Sequence, residues 1–153
     1  MFTKDDSSKI KLKNELFLLK NLRHPNIVKL FENIEANKYH MLFMELCTGG
    51  DLLHYVRRRR GIEEDLAKHL FRQLILGIGY LHSRSIIHRD IKLENILLDN
   101  LGTLKICDLG VSKLTDIENM TSPNLTSKQT LKECCGTPAY MAPEVIRAGT
   151  YEA

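Results

Sequence analysis

Apolar residues recur at helical spacing in two long stretches of this chain and gather in short runs between them. Leu12, Leu16, Leu19 and Leu22 predict a helix over residues 9–22, with Ser7 or Ser8 placed to cap its start. His24-Pro25-Asn26 predicts its end, because a proline pushes the residue before it out of the helical region. Runs at 27–34 and 40–46, separated by Glu35-Ala36-Asn37-Lys38, read as a strand hairpin. Thr48-Gly49-Gly50 breaks the pattern before a short helix that begins at Asp51. A longer helix over 63–83 carries Leu66, Leu70, Leu74, Ile78 and Leu81 on one stripe and is the expected core of the chain. Residues 96–98 and 104–107 flank Asp99-Asn100-Leu101-Gly102 as a second, smaller hairpin. From 113 to 132 the sequence turns to Thr, Ser, Asn and charge, which predicts a long loop.

Composition adds limits. The chain has 153 residues, 43% of them apolar, and a formal net charge of +3, which fits one ordinary domain or part of one. The apolar stretch from Leu74 to Leu81 is interrupted by Gly77 and Gly79 and falls far short of the ~20 residues a membrane span needs. The first eight residues resemble neither a secretory signal nor a transit peptide, so a cytoplasmic location is expected, with the nucleus left open. On the same ground the glycosylation patterns at Asn119 and Asn124 are set aside. Cys47, Cys107, Cys134 and Cys135 lack C-x-x-C spacing and are expected as free thiols. Arg57 to Arg60 have two readings, a nucleic-acid patch or a solvated helix end that suits the negative end of the helix dipole with Gly61 as C-cap. The second is preferred, and neither a nucleic acid nor a membrane is expected as a partner.

The chemistry gathers in His88-Arg89-Asp90-Ile91-Lys92-Leu93-Glu94-Asn95, which puts a carboxylate, an ammonium and a carboxamide on one loop, and in Asp108-Leu109-Gly110 beyond the small hairpin. A lone Asp or Asn in a loop is usually a turn cap. Two carboxylates and an amide together suit a magnesium ion and a reacting hydroxyl, and phosphoryl transfer asks mainly for positioning and charge.

With Gly136-Thr137-Pro138-Ala139-Tyr140-Met141-Ala142-Pro143-Glu144 following at the expected distance, these motifs resemble the eukaryotic-type Ser/Thr protein kinases, with the calcium/calmodulin-dependent and AMP-activated groups as the nearest look. The resemblance implies an α+β, partial kinase-like fold, in which 1–46 are a remnant of the N-terminal lobe with the start of the hinge and 47–153 the first part of the C-terminal lobe with catalytic loop and activation segment. It implies ATP and Mg²⁺ as cofactors and proteins with Ser or Thr acceptors as substrates. The oligomeric state is left open.

Residue by residue, Asp90 is similar to the aspartate that orients the substrate hydroxyl, Lys92 to the lysine beside the γ-phosphate, and Asn95 and Asp108 to the metal ligands. Glu15 resembles the helix glutamate that pairs a strand lysine. Met44 resembles the gatekeeper, Glu45 to Cys47 the hinge on adenine, Leu97 the residue under the ring, and Asp51 a ribose or substrate contact. Glu94 and Thr137 are expected on the substrate side, with Asp51 and Glu94 favouring basic residues N-terminal to the acceptor. Leu19, Leu30, His88 and Leu109 fall on the stacked apolar spine, which a plain core reading predicts equally. Leu109 stands where Phe is commoner, an expected loosening on the order of 1 kcal/mol.

The resemblance further implies that Arg89 grips a phosphorylated residue of the activation segment. Glu133 aligns with that position and Thr130 is the alternative phosphosite, so a loop partly ordered by Glu133 is expected. A Gly-rich loop and a Val-Ala-Ile-Lys-like strand are not recognisable, Lys4 being too near Glu15. Glu144 resembles a buried carboxylate whose arginine partner lies further along. The chain is therefore expected to be a piece of an active kinase, with apolar surface left open on the long helix and poor stability alone. The alternative is a catalytically inactive, kinase-like binding or regulatory module.

Overall fold

The computed structural model describes residues 4–36, 39–115, 130–131, 135–148 and 151–152. Its first helix, α1 (Lys4–Asn21), begins five residues before the expected start, so Ser7 and Ser8 lie inside it and do not cap it. At the other end Arg23 Nη1 donates to the carbonyls of Leu19 and Leu22, which satisfies groups that a helix terminus leaves bare.

The first hairpin pairs β1 (Leu30–Ala36) with β2 (Tyr39–Met44), from Leu30 opposite Met44 to Ala36 opposite Tyr39. Ile27 and Val28, expected in that first strand, are instead recruited by β6 (Leu104–Ile106): Val28 N–H donates to Ile106 O at 2.9 Å, and Ile106 N–H donates to Asn26 O at 2.9 Å. Burial explains the difference, since Ile27 and Val28 are 2% and 4% exposed there. The small hairpin of β5 (Ile96–Leu98) and β6 forms as expected, with a third strand, β3 (Gly50–Asp51), added on the far side of β5.

Two helices follow β3: α2 (Leu52–Arg59) and α3 (Glu64–Ser83). Asp51 caps α2 by accepting from His54 N–H at 2.8 Å, and that bond holds its carboxyl below the usual aspartate range. Asp51→Ala is expected to cost about 1 kcal/mol in chemical denaturation, whereas Asp51→Asn, which keeps the acceptor, should cost far less. A loss equal for both would show that the cap contributes nothing. Arg60, not Gly61, takes the left-handed position after α2, at φ 57°, and Arg57 to Arg60 are all exposed.

On α3, Leu70 and Leu81 are buried and Leu66, Leu74 and Ile78 pack partly against the core. Gly77 lets this helix approach β6, because a Cβ there would stand 2.7 Å from Ile106 Cδ1 and 3.1 Å from Asn26 O. The opposite side leaves Phe71, Ile75 and Leu76 at least half exposed, which matches the expected open apolar surface.

Lys113 and Leu114, expected in a loop, form β7 (Lys113–Leu114) against β4 (Ile86–Ile87). Thr130 sits in β8 (Thr130–Leu131), paired with β9 (Tyr151–Glu152). The last helix is α4 (Pro143–Ala148), where Glu144 is exposed and carries no burial cost, contrary to expectation. Among the described residues no helix is long and apolar enough to cross a membrane.

Packing divides into two adjoining clusters. Leu16, Leu18, Leu19 and Leu22 of α1 meet Ile27, Val28, Leu30, Leu81, Ile86 and Leu109, while Leu52 and Leu70 meet Ile96, Leu98, Leu104 and Ile106. The first holds α1 to the segment that carries Asp108, and the second holds the hairpin that leads into it.

Candidate active site

The loop between β4 and β5 is set by a buried histidine. His88 is 3% exposed, and burial drives its ring below the ordinary histidine pKa, so it is neutral at physiological pH. One ring nitrogen, Nε2, donates to Cys107 O at 3.0 Å, which leaves Nδ1 to accept Asp90 N–H at 3.3 Å. A neutral ring thus joins the loop to Cys107, between the end of β6 and Asp108. Arg89 and Asp108 both have left-handed backbones, at φ 68° and 59°, a conformation that L-residues seldom take and that tends to persist at functional sites.

Asp90 is the centre of a dense polar network. Its Oδ1 accepts Thr137 N–H and Thr137 Oγ1–H, both at 2.8 Å, and its Oδ2 faces Lys92 Nζ at 2.9 Å and Asn95 Nδ2 at 3.1 Å. Asn95 Nδ2 also donates to Asp90 O at 2.9 Å, and Lys92 Nζ donates to Thr137 Oγ1 at 2.7 Å. Burial works to raise the Asp90 carboxyl, but the bonds from Lys92 and Thr137 outweigh it and hold the group below the usual range. Asp90 is therefore an ionised, fixed acceptor at neutral pH. Gly136 allows the approach of Thr137: its φ is 108°, and a Cβ there would lie 2.6 Å from Arg89 O.

Asp108 lies two residues beyond the end of β6, with Oδ1 accepting Gly110 N–H at 3.3 Å. Its charge acts on both His88 and Lys92 and, after burial, is what raises the Glu15 carboxyl on α1. Cys107 bears witness to the convergence: burial first, then the charges of Asp108, Cys47, Glu15 and Asp51, push its thiol up to about 12. The charges of four residues expected around a nucleotide thus act on one half-buried sulfur. At that pKa the thiol is protonated and inert.

The remaining expected residues are distributed as follows. Leu97 is half-buried on β5, opposite Asp51 and Lys105 in the strand register. Met44 packs against the first core cluster, and Cys47 O accepts Gly50 N–H at 3.2 Å. The Asp51 carboxylate is engaged by His54 through both oxygens, Oδ2 meeting His54 Nδ1 at 2.8 Å. Glu94 is exposed on the turn Leu93–Asn95, and its charge is felt by Lys92. Arg89 Nε donates to Val111 O at 2.7 Å. Thr130 pairs through its backbone with Glu152 in β8, and Glu133 lies outside the described residues.

Leu19, Leu30 and Leu109 share one buried cluster, each at most 4% exposed, and the Leu109 side chain has no exposed surface.

Several contributing residues were not singled out in the sequence. Asn14 Nδ2 donates to Ser112 O at 2.8 Å and ties α1 to the segment after Asp108, while buried Ser112 donates from Oγ to His88 O at 3.3 Å. Asn14 was findable, since asparagine is a poor interior helix residue and invites the question of what its amide bonds. Asn26, Gln73 and Lys105 gave no such signal.

Donor chemistry tests the fit of a magnesium ion. Asn95 and Asp108 offer hard oxygen ligands of the kind magnesium takes, while among the described residues no group of three His, Cys, Asp or Glu could hold a metal ion by itself. Such a sparse protein set matches an ion that draws most of its ligands from phosphates and water.

Comparison with known proteins identifies the family. A protein kinase domain model matches residues 2–153. The chain is 40% identical over 153 residues to a hormonally up-regulated neu tumor-associated kinase homolog of Xenopus tropicalis, covering 94% of this chain and 21% of that protein. It is 42% identical over 141 residues to CBL-interacting serine/threonine-protein kinase 16 of Arabidopsis thaliana, covering 92% and 30%. Serine/threonine-protein kinase KIN4 of Saccharomyces cerevisiae is 38% identical over 151 residues, covering 98% and 18%. The chain thus spans between a fifth and a third of the length of most of these relatives.

Proposed function

The chain belongs to the eukaryotic-type serine/threonine protein kinase family, and from that premise we propose that Asp90, Lys92, Asn95 and Asp108 serve transfer of the ATP γ-phosphoryl group to a serine or threonine hydroxyl of a protein substrate. The observation that carries the reading is the fixed Asp90 carboxylate, ionised and held by Thr137, Lys92 and Asn95.

In this reading Asp90 accepts the substrate hydroxyl's hydrogen bond and orients its oxygen in line with the phosphoryl group. Lys92, whose ammonium is stabilised first by its bond to Asp90 and further by the charges of Asp90, Glu94 and Asp108, supplies positive charge near the transferring oxygens. Asn95 and Asp108 would hold magnesium, whose contribution when bound is to neutralise phosphate charge. His88 and Asn14 set backbone positions and do not touch the reactants. Glu45 to Cys47 offer backbone groups to adenine.

Thr137 is the most specific element, because its hydroxyl and amide both fix Asp90 Oδ1. Thr137→Val, which keeps the shape and the amide, is expected to lower kcat roughly ten- to hundredfold with little change in the KM for ATP, the rate equivalent of the ~1.5–3 kcal/mol of a hydrogen bond to a charged group. Thr137→Ser should recover most of that loss. An unchanged kcat in Thr137→Val would remove Thr137 from the machinery.

The reading as a whole is tested by incubating the intact protein with γ-labelled Mg-ATP and a mixture of Ser- and Thr-containing peptides. Label on the hydroxyl side chains is the expected result. Mg-ATP binding with no label on any hydroxyl would favour a kinase-like regulatory module instead.

A further inference from the structure

Lys105 is out of place for its chemistry. It lies in the middle of β6 between Leu104 and Ile106, and it is 8% exposed, although lysine is almost never buried without a partner. Its Nζ pairs with Glu45 Oε1 at 2.5 Å. The second oxygen of the same carboxylate accepts Lys29 N–H at 3.2 Å, and Glu45 N–H donates to Lys29 O at 2.8 Å. Glu45 is thus clasped at side chain and backbone. The far end of the same stretch is also tied down, with Gly49 N–H on Leu98 O at 2.8 Å.

The strand that carries Lys105 is itself fixed. Asn26 Nδ2 bonds Leu104 O at 2.9 Å and Gln73 Oε1 at 3.1 Å, and Leu104 N–H bonds the same Gln73 oxygen at 2.9 Å. Helix α3 therefore anchors β6 from behind, and β6 anchors residue 45 through the ion pair from its buried lysine. Three residues beyond Lys105 the strand delivers Asp108. The ammonium also acts on Cys47, so its field reaches along the 45–47 stretch.

We propose that Lys105 is a positioning residue for the adenine nucleotide, acting through Glu45 to fix the backbone of residues 45–47 and to join it mechanically to the strand bearing Asp108. The proposal rests on the phosphoryl-transfer reading for the identity of the ligand. The clasp itself stands on geometry alone.

Lys105→Met keeps most of the length and removes the charge, Lys105→Arg keeps the charge, and Glu45→Gln keeps the shape of the partner. Amide hydrogen exchange of residues 45–47 without nucleotide, and the Kd for adenosine, which has neither phosphate nor metal, are the two readouts. Lys105→Met is expected to speed that exchange about tenfold or more and to weaken adenosine roughly three- to tenfold. Lys105→Arg should restore most of both. Lys105→Met with Glu45→Gln should be no worse than either alone, because the two act as one unit.

Wild-type exchange and adenosine affinity in folded Lys105→Met would overturn the proposal. If Lys105→Met does not fold, Glu45→Gln decides in the same way. A wild-type protein that binds neither adenosine nor Mg-ATP would remove the phosphoryl-transfer reading and the nucleotide role together, a result separable from loss of the clasp because the exchange difference would remain.

Discussion

Asp90→Asn is expected to lower phosphoryl transfer by roughly 10²–10⁴-fold, the usual worth of a positioned acid–base group, with the fold intact. The change is nearly isosteric, so the new side-chain oxygen can still accept from Thr137, whose bonds hold residue 90 in place. What disappears is the negative charge that pairs with Lys92 and receives the substrate hydroxyl's hydrogen bond. Single-turnover transfer from γ-labelled ATP, read beside thermal unfolding, separates the two effects. A folded variant that transfers at more than about a tenth of the wild-type rate would contradict the role given to Asp90.

The largest stability loss is expected at Leu109. Its side chain is fully enclosed in the cluster that joins α1 to the segment after β6, with Leu19 and Leu30 among its companions. Leu109→Ala should cost ~2–5 kcal/mol, the range for a buried leucine truncated where neighbours relax only in part. It should also loosen Asp108, which precedes it, so nucleotide affinity in the presence of magnesium should fall along with the denaturation midpoint. Leu109→Phe is expected to cost about 1–3 kcal/mol rather than to stabilise, because the pocket has closed around a leucine. Urea denaturation of both variants checks this. A phenylalanine variant more stable than wild type would show that the leucine leaves room unfilled.

Element existence was legible because the periodicities are strong. The stripe from Leu66 to Leu81 and the pairing of the two runs around Gly102 read directly from the sequence. Boundaries were less legible wherever tertiary contacts decided them. Ile27 and Val28 look like strand residues but pair with β6 across the core, and Lys113 and Leu114 look like loop residues but pair with β4. The early start of α1 was hidden because Ser7 and Ser8 offered a plausible cap inside it.

In the candidate site, Asp90, Lys92, Asn95 and Thr137 were singled out through the family resemblance, and the structure places their side chains in one hydrogen-bonded group. Asn26, Gln73 and Lys105 were not, because their roles depend on partners distant in sequence, such as Leu104 with Asn26 and Glu45 with Lys105. Lys105 was further hidden because period-two alternation puts a lysine flanked by leucine and isoleucine on a solvent face.

The division of labour between Asp90 and Asp108 is the central claim, and calorimetric titration of ATP with and without magnesium into wild type, Asp108→Asn and Asp90→Asn tests it most directly. The account predicts that Asp108→Asn abolishes most of the magnesium-dependent gain in ATP affinity, while Asp90→Asn retains that gain and loses only transfer. A magnesium dependence that survives in Asp108→Asn would contradict it.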